Sequence, residues 1–246
     1  MNIHLCVPFK EIDWLGNITR ILKNSIKDIG FILTSQQEAD VIIAVQHFPL
    51  TMEKRRGVKY ILYQIEQHSY KSASVESYYA FRPNEVWGFD IENKNERYVP
   101  LGYHPCLEFD RNFQDIDVSF MGCITEKRHK WFSKVKHSPK QVRGFAHKVR
   151  GQVLSRTKIN LNLHAYGMTQ FTEWDRISHF LANSCFFISE HFYCPIDVPQ
   201  FKTVDQYDLL VDYFLKNAEE REEKAVMANK IYKRDFDMRN ILKEIL

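Results

Sequence analysis

Lys127 and Arg128 follow closely on an apolar run that ends at Gly122, and Arg176 falls in a stretch of helical spacing that starts near Glu173. Lysine or arginine beside a helix start can meet the oxygens of a phosphate. The same residues also have plainer roles. Lys127 and Arg128 suit an exposed helix face, and Arg176 suits an i,i+3 pair with Glu173. Glu173, in the first helical turn, either favours the helix dipole or accepts hydroxyl hydrogen bonds. Glu190 closes the apolar run Cys185–Ser189. Ligands gather at the carboxyl ends of parallel strands, so a carboxylate there can receive hydroxyls, although an acid where a strand meets a loop is also ordinary. His164 ends an alternating segment, where it can touch a ligand or serve as a hydrogen-bonded structural histidine.

Three further residues stand near the N-terminus. Gly16, in Asp13-Trp14-Leu15-Gly16-Asn17, follows a first apolar run and permits close backbone approach. Glu66 and His68, in Gln64-Ile65-Glu66-Gln67-His68, end another run, and either can act as a general base on a hydroxyl. The triplets Asp115-Ile116-Asp117 and Asp235-Phe236-Asp237 have metal-binding form. One falls in a connecting segment and the other in a helical tail, so capping and chance account for them better than a metal does. Walker, H-E-x-x-H and G-x-S-x-G patterns are absent from the sequence.

The elements that must position these residues alternate between strand and helix. Ile3–Val7, Phe31–Leu33, Val41–Val45, Tyr60–Ile65, Glu85–Phe89 and Arg97–Leu101 are predicted strands. Apolar residues at Ile18, Ile21, Leu22, Ile26 and Ile29 predict a helix over 17–29. The pattern pauses at 103–117 and restarts at Val118–Met121. A helix over Thr125–Lys136, a strand over Gln141–Phe145 and a helix over Val149–Thr157 follow. In Lys158–His164, Ile159, Leu161 and Leu163 alternate with Asn160, Asn162 and His164, which predicts a strand with one polar face. Thr172-Glu173-Trp174-Asp175 reads as a capping box opening a helix to about Asn183. From about Asp205 the chain reads as helical.

Hydrophobic residues make up 44 % of the 246, enough for a packed core and too many for a disordered chain. A net charge of +3 argues against a general nucleic-acid coat while leaving local basic patches, Lys54-Arg55-Arg56 and Lys134–Arg150, as phosphate contacts. Five scattered cysteines without a C-x-x-C pair predict a reducing, cytoplasmic setting and no zinc site. No apolar run approaches the ~20 residues needed to span a bilayer. The oligomeric state is not legible.

Val99-Pro100-Leu101-Gly102-Tyr103, Val118–Gly122 followed by Lys127-Arg128, and Lys158–His164 with Glu173-x-x-Arg176, Leu181-Ala182-Asn183 and Ile188-Ser189-Glu190 resemble the GT-B glycosyltransferases, in particular those similar to the spore-maturation protein CgeB. The resemblance implies an α/β chain of two Rossmann-like domains. They would be an acceptor-side domain at 1–104 and a nucleotide-sugar donor domain at 117–232, with a C-terminal helix at 233–246 packing back on the first. It also implies sugar transfer from a nucleotide-sugar to an acceptor hydroxyl in the interdomain cleft, without a permanently bound cofactor or metal. Lys127, Arg128 and Arg176 would then meet the diphosphate, and Gly16, His164, Glu173 and Glu190 would contact the donor. Glu66 or His68 would serve as base. The acceptor would be a glycan, a lipid-linked or small molecule, or, as an alternative, a hydroxylated base in DNA. A non-catalytic module that kept the fold is the other alternative. It is prompted by His179, which stands where many relatives carry a second glutamate, and by Asn183-Ser184, where they carry a glycine.

Overall fold

The computed structural model describes residues 1–7, 16–49, 51–65, 81–89, 91, 94–110, 113–142, 147–165 and 172–246. They form two compact units, Met1–Cys106 with Met238–Leu246, and Leu107–Asp237.

The first unit holds β1 (Asn2–Cys6), α1 (Gly16–Asp28), β2 (Ile32–Leu33), β3 (Val41–Val45), β4 (Lys59–Gln64), β5 (Glu85–Gly88) and β6 (Arg97–Tyr98). The strands pair in parallel in the order β2-β1-β3-β4-β5-β6. Every residue of β3 is buried, as expected of a central parallel strand covered on both faces. One face carries Cys6, Ile42, Ala44, Tyr60 and Leu62 against Phe48 and Met52. The edge strands β2 and β6 span only two residues each, shorter than their apolar runs.

The second unit holds β7 (Ile116–Met121), α2 (Glu126–Phe132), β8 (Lys140–Val142), α3 (His147–Leu154), β9 (Thr157–Asn162), α4 (Trp174–Ala182), β10 (Phe187–Glu190), β11 (Gln200–Phe201), α5 (Val204–Lys216) and α6 (Ala218–Asp235). Its sheet is also parallel, in the order β11-β10-β9-β7-β8. Phe120, Ile159, Leu161, Ile188 and Phe201 form its core with Tyr207, Val211 and Phe214 of α5. The last helix, α7 (Met238–Ile245), belongs to the first unit. It buries Met238, Leu242 and Ile245, and the Met238 N–H donates to Tyr103 O at 2.9 Å.

Several predicted boundaries move for physical reasons. Helix α2 stops at Phe132, with Ser133 as its C-cap, and does not reach Lys136. The backbone N–H groups of Lys136 and His137 turn instead to the Asp208 carboxylate. Helix α3 ends at Leu154, since Thr157 already opens β9. The capping box at Thr172 does not form. Thr172 is buried and donates its hydroxyl to Tyr193 O at 2.8 Å, and Glu173 takes the N-cap position without a side-chain cap bond. The polar face of β9 is not wet. Asn160 and Asn162 are fully buried, like their apolar neighbours, because the unit covers both faces of its sheet.

Candidate functional site

At the carboxyl edge of the second unit's sheet, three strand ends and two helix starts bring together six of the predicted residues. Thr125 caps α2, accepting from Arg128 N at 3.3 Å, which sets Lys127 and Arg128 in its first turn. Strand β10 ends at Glu190, whose carboxylate takes Lys127 Nζ on both oxygens, at 2.7 and 2.8 Å, and the backbone N–H of His164 at 3.0 Å. Glu173, beneath the start of α4, is paired with Arg176 and faces Arg128 Nη2 and His164 Nδ1, each at 3.6 Å. Three cations thus surround two carboxylates.

The two arginines have different roles. Arg128 is buried, and its guanidinium donates to Leu163 O at 3.0 and 2.5 Å and to Cys123 O at 2.8 Å, so it ties the end of β7 to the end of β9. Burial, reinforced by the neighbouring Arg176 charge, pulls its pKa down to about 10. In Arg176, Nε donates to Met121 O at 2.8 Å, and Nη1 donates to Asn162 Oδ1 at 2.5 Å and to Glu173. Its Nη2 makes no hydrogen bond among the described residues. It lies against Gly122, where a Cβ would stand 3.1 Å from it and a φ of +152° favours glycine. Both guanidinium groups stack over the Phe120 ring, at 4.9 and 5.3 Å.

Burial alone would push the Glu173 carboxyl up. The Arg176 charge, then His164 and Arg128, overcome it and hold the group well below the usual carboxylate range. Glu173 is therefore an ionised anchor for the cations around it. Asn162 extends the network, since its Nδ2 donates to Ser189 Oγ at 2.9 Å and that hydroxyl donates to Glu190 O at 2.7 Å. Sequence reading missed Asn162, Ser189 and Gly122 as site residues. The Asn-x-Asn pair in an apolar strand was the available signal.

Gly16 opens α1 in the other unit. Glu66 and His68 lie outside the described residues. His179 is fully buried and meets Arg150 at 3.2 Å, with Arg150 in turn 3.6 Å from Asp175. Asn183 binds Leu107 O and Phe109 N, lacing the end of α4 to the start of the unit. Of the aspartate triplets, Asp115 pairs with Arg156 and Asp117 with Lys158 at the amino end of β7, and Asp235 pairs with Arg234. Among the described residues no His, Cys, Asp or Glu cluster could hold a metal ion. Several residues of the basic patches are engaged within the protein. Arg55 donates to the carbonyls of Gln36, Gln37 and Ala39, Lys54 to Arg82 O, and Lys136 pairs with Asp212. Arg143 and the side chain of Lys148 lie outside the described residues.

Two parallel α/β units, with the C-terminal helix in the first, make the GT-B fold. The chain is similar in structure to an α-glucosyltransferase in complex with UDP and a mismatched 13-mer DNA, with a TM-score of 0.68 and 8% identity over 99% of this chain and 98% of that one. It is also similar to a DNA-modifying β-glucosyltransferase (TM-score 0.62, 10% identity, 98% and 95% covered) and to an α1,3-fucosyltransferase with GDP (0.54, 14%, 99% and 88%). No family model matches the chain, and no curated protein matches it in sequence. No helix among the described residues is long and apolar enough to cross a membrane.

Proposed function

We propose that the protein is a glycosyltransferase that moves a sugar from a nucleotide-sugar to an acceptor hydroxyl, and that the carboxyl edge of the second unit's sheet holds the donor. The observation that carries this reading is the uncommitted Nη2 of Arg176, held against Gly122 in a GT-B fold while the rest of the guanidinium is fixed. The leaving diphosphate gains charge as the glycosidic bond breaks, and preorganised cations stabilise that charge. Arg176 and Lys127 supply them, and Arg128 keeps the two strand ends in place. Lys127 exchanges Glu190 for phosphate when donor arrives, freeing the Glu190 carboxylate for ribose or sugar hydroxyls. His164 and Glu173 support the donor from beneath, Gly16 serves the first unit, and Glu66 or His68 serves as base. The motifs at 158–164, 173–176 and 188–190 favour a place among the CgeB-like enzymes.

Because side-chain cations meet the diphosphate in this reading, transfer needs no divalent ion and persists in excess chelator. Complete loss restored by manganese would contradict it. Five free cysteines suit a reducing cytoplasm. A thermal-shift screen of nucleoside diphosphates and nucleotide-sugars tests donor binding. A ligand at about 100 times its Kd stabilises by about 2.7 kcal/mol.

A second reading takes the acceptor to be a hydroxylated base in DNA. It is favoured by the likeness, over nearly the full length of both chains, to an α-glucosyltransferase in complex with DNA and to a DNA-modifying β-glucosyltransferase. Labelling of hydroxymethylated duplex by donor sugar, against none on unmodified duplex, would support it.

A further inference from the structure

Helix α5 turns Tyr207, Val211 and Phe214 into the core of the second unit. A second stripe of the same helix, Gln206, Leu209, Leu210 and Tyr213, follows the spacing i, i+3, i+4, i+7 and so shares one side. With Gln200 of the edge strand β11 it lines a groove of about 730 Å³. Leu209 is 69% exposed and Tyr213 47%, with the partly buried Leu210 beside them. Lone exposed apolar side chains are ordinary, but adjoining ones along a groove mark a contact surface.

The two ends of this stripe carry opposite charges. Lys202 lines the groove before α5 starts. Its backbone N–H donates to Gln206 Oε1 at 2.8 Å, and its ammonium makes no ion pair among the described residues. At the far end, Glu220 Oε2 accepts the Tyr213 hydroxyl at 2.5 Å, which holds the carboxylate beside that ring. Asp205 in the first turn and Lys216 in the last are both exposed, and they stand about equally far from the middle of α5.

We propose that this face pairs two copies of the chain, α5 against α5, antiparallel about a two-fold axis at the middle of the helix. A two-fold interface must be complementary to itself. Reversing the stripe meets that demand: Leu209 packs on the partner's Tyr213, Lys202 faces the partner's Glu220, and Asp205 faces the partner's Lys216. Each contact occurs twice, and the apolar middle is covered. An added β-strand suits the groove poorly, because β11 spans only two residues and offers a short ladder. The pairing does not depend on the glycosyltransferase reading.

The test is sedimentation of the full chain over a concentration series. A reversible monomer–dimer equilibrium is expected. Leu209→Glu, which sets a carboxylate in the apolar middle, is expected to stay monomeric throughout with the circular dichroism of the wild type, since the fold buries little of Leu209. Lys202→Glu alone and Glu220→Lys alone each place like charges at both symmetric contacts and should weaken self-association by about tenfold. Mixed in equal amounts, these two variants should recover the wild-type affinity, because every end contact then joins a lysine to a glutamate. A wild type that is monomeric at every concentration reached would overturn the proposal. So would a dimer that Leu209→Glu leaves intact, single charge variants that associate like the wild type, or a mixture that associates no better than its components.

Discussion

Glu173 is the residue on which the charged cluster at the second unit's sheet edge balances. It is mostly buried and meets three side chains that are cationic or can become so, so its removal leaves charge without an opposite. Breaking such a buried pair typically costs about 3–5 kcal/mol. Glu173→Gln is therefore expected to lose stability on that scale at pH 7, read from denaturant unfolding. The pH dependence has a definite sign. The folded carboxyl binds its proton at far lower pH than the unfolded one, whose value is about 4.3. The contribution is thus complete above that value and drains away as the pH falls below it. The gap between wild type and Glu173→Gln should narrow on acidification beneath about pH 4.3; a constant gap would mean that Glu173 is not the ionised partner. Gly122 gives a second test. A Cβ there would press on Arg176 Nη2 and on the Phe120 ring, in a backbone region that favours glycine. Gly122→Ala should weaken nucleoside diphosphate binding by displacing Arg176, and unchanged affinity would place the phosphates elsewhere. The Glu173–Arg176 spacing was legible in the sequence because i,i+3 neighbours meet on any helix. Arg128 arrives from α2 and His164 from just beyond β9, and no local pattern announces their convergence on Glu173.

At the scale of elements, strand and helix alternation was readable because buried parallel strands are short apolar runs. Their ends were less so. The Thr172 capping box lost to a tertiary bond with Tyr193, and α2 stopped where Asp208 could take the freed N–H groups. The alternation in β9 suggested a wet face, yet Asn160 and Asn162 bond inward, to Phe186 O and Ser189 Oγ. Helix α7 offers an element-scale prediction. It packs against α1, with Met238 and Leu242 fully buried. Leu242→Ala should cost about 2–5 kcal/mol. In hydrogen exchange, the loss of protection should fall on α1 and β1 of the first unit and spare β7, β9 and β10. Equal loss in both units would show that they unfold together.

Across the whole molecule, two parallel sheets of the same kind end in differently composed carboxyl edges. The second unit's edge is crowded with charge, while the first unit's carries the buried carboxamide of Gln64. The GT-B class was legible from the order of elements, whereas identities of 8–14% to the similar structures leave the residues themselves as the source of detail. The basic stretches suggested phosphate contacts, but Arg55, Lys136 and the buried Arg150 have partners within their own units. The most direct measurement is calorimetric titration of UDP and GDP into the wild type and Arg176→Ala. A hydrogen bond to a charged group is worth about 1.5–3 kcal/mol, so the variant, which melts lower because Glu173 loses a partner, should bind its preferred diphosphate at least about tenfold more weakly per folded molecule, titrated where both proteins are folded. If Arg176→Ala binds as tightly as the wild type, or if neither diphosphate binds the wild type at all, the donor site is not at this edge.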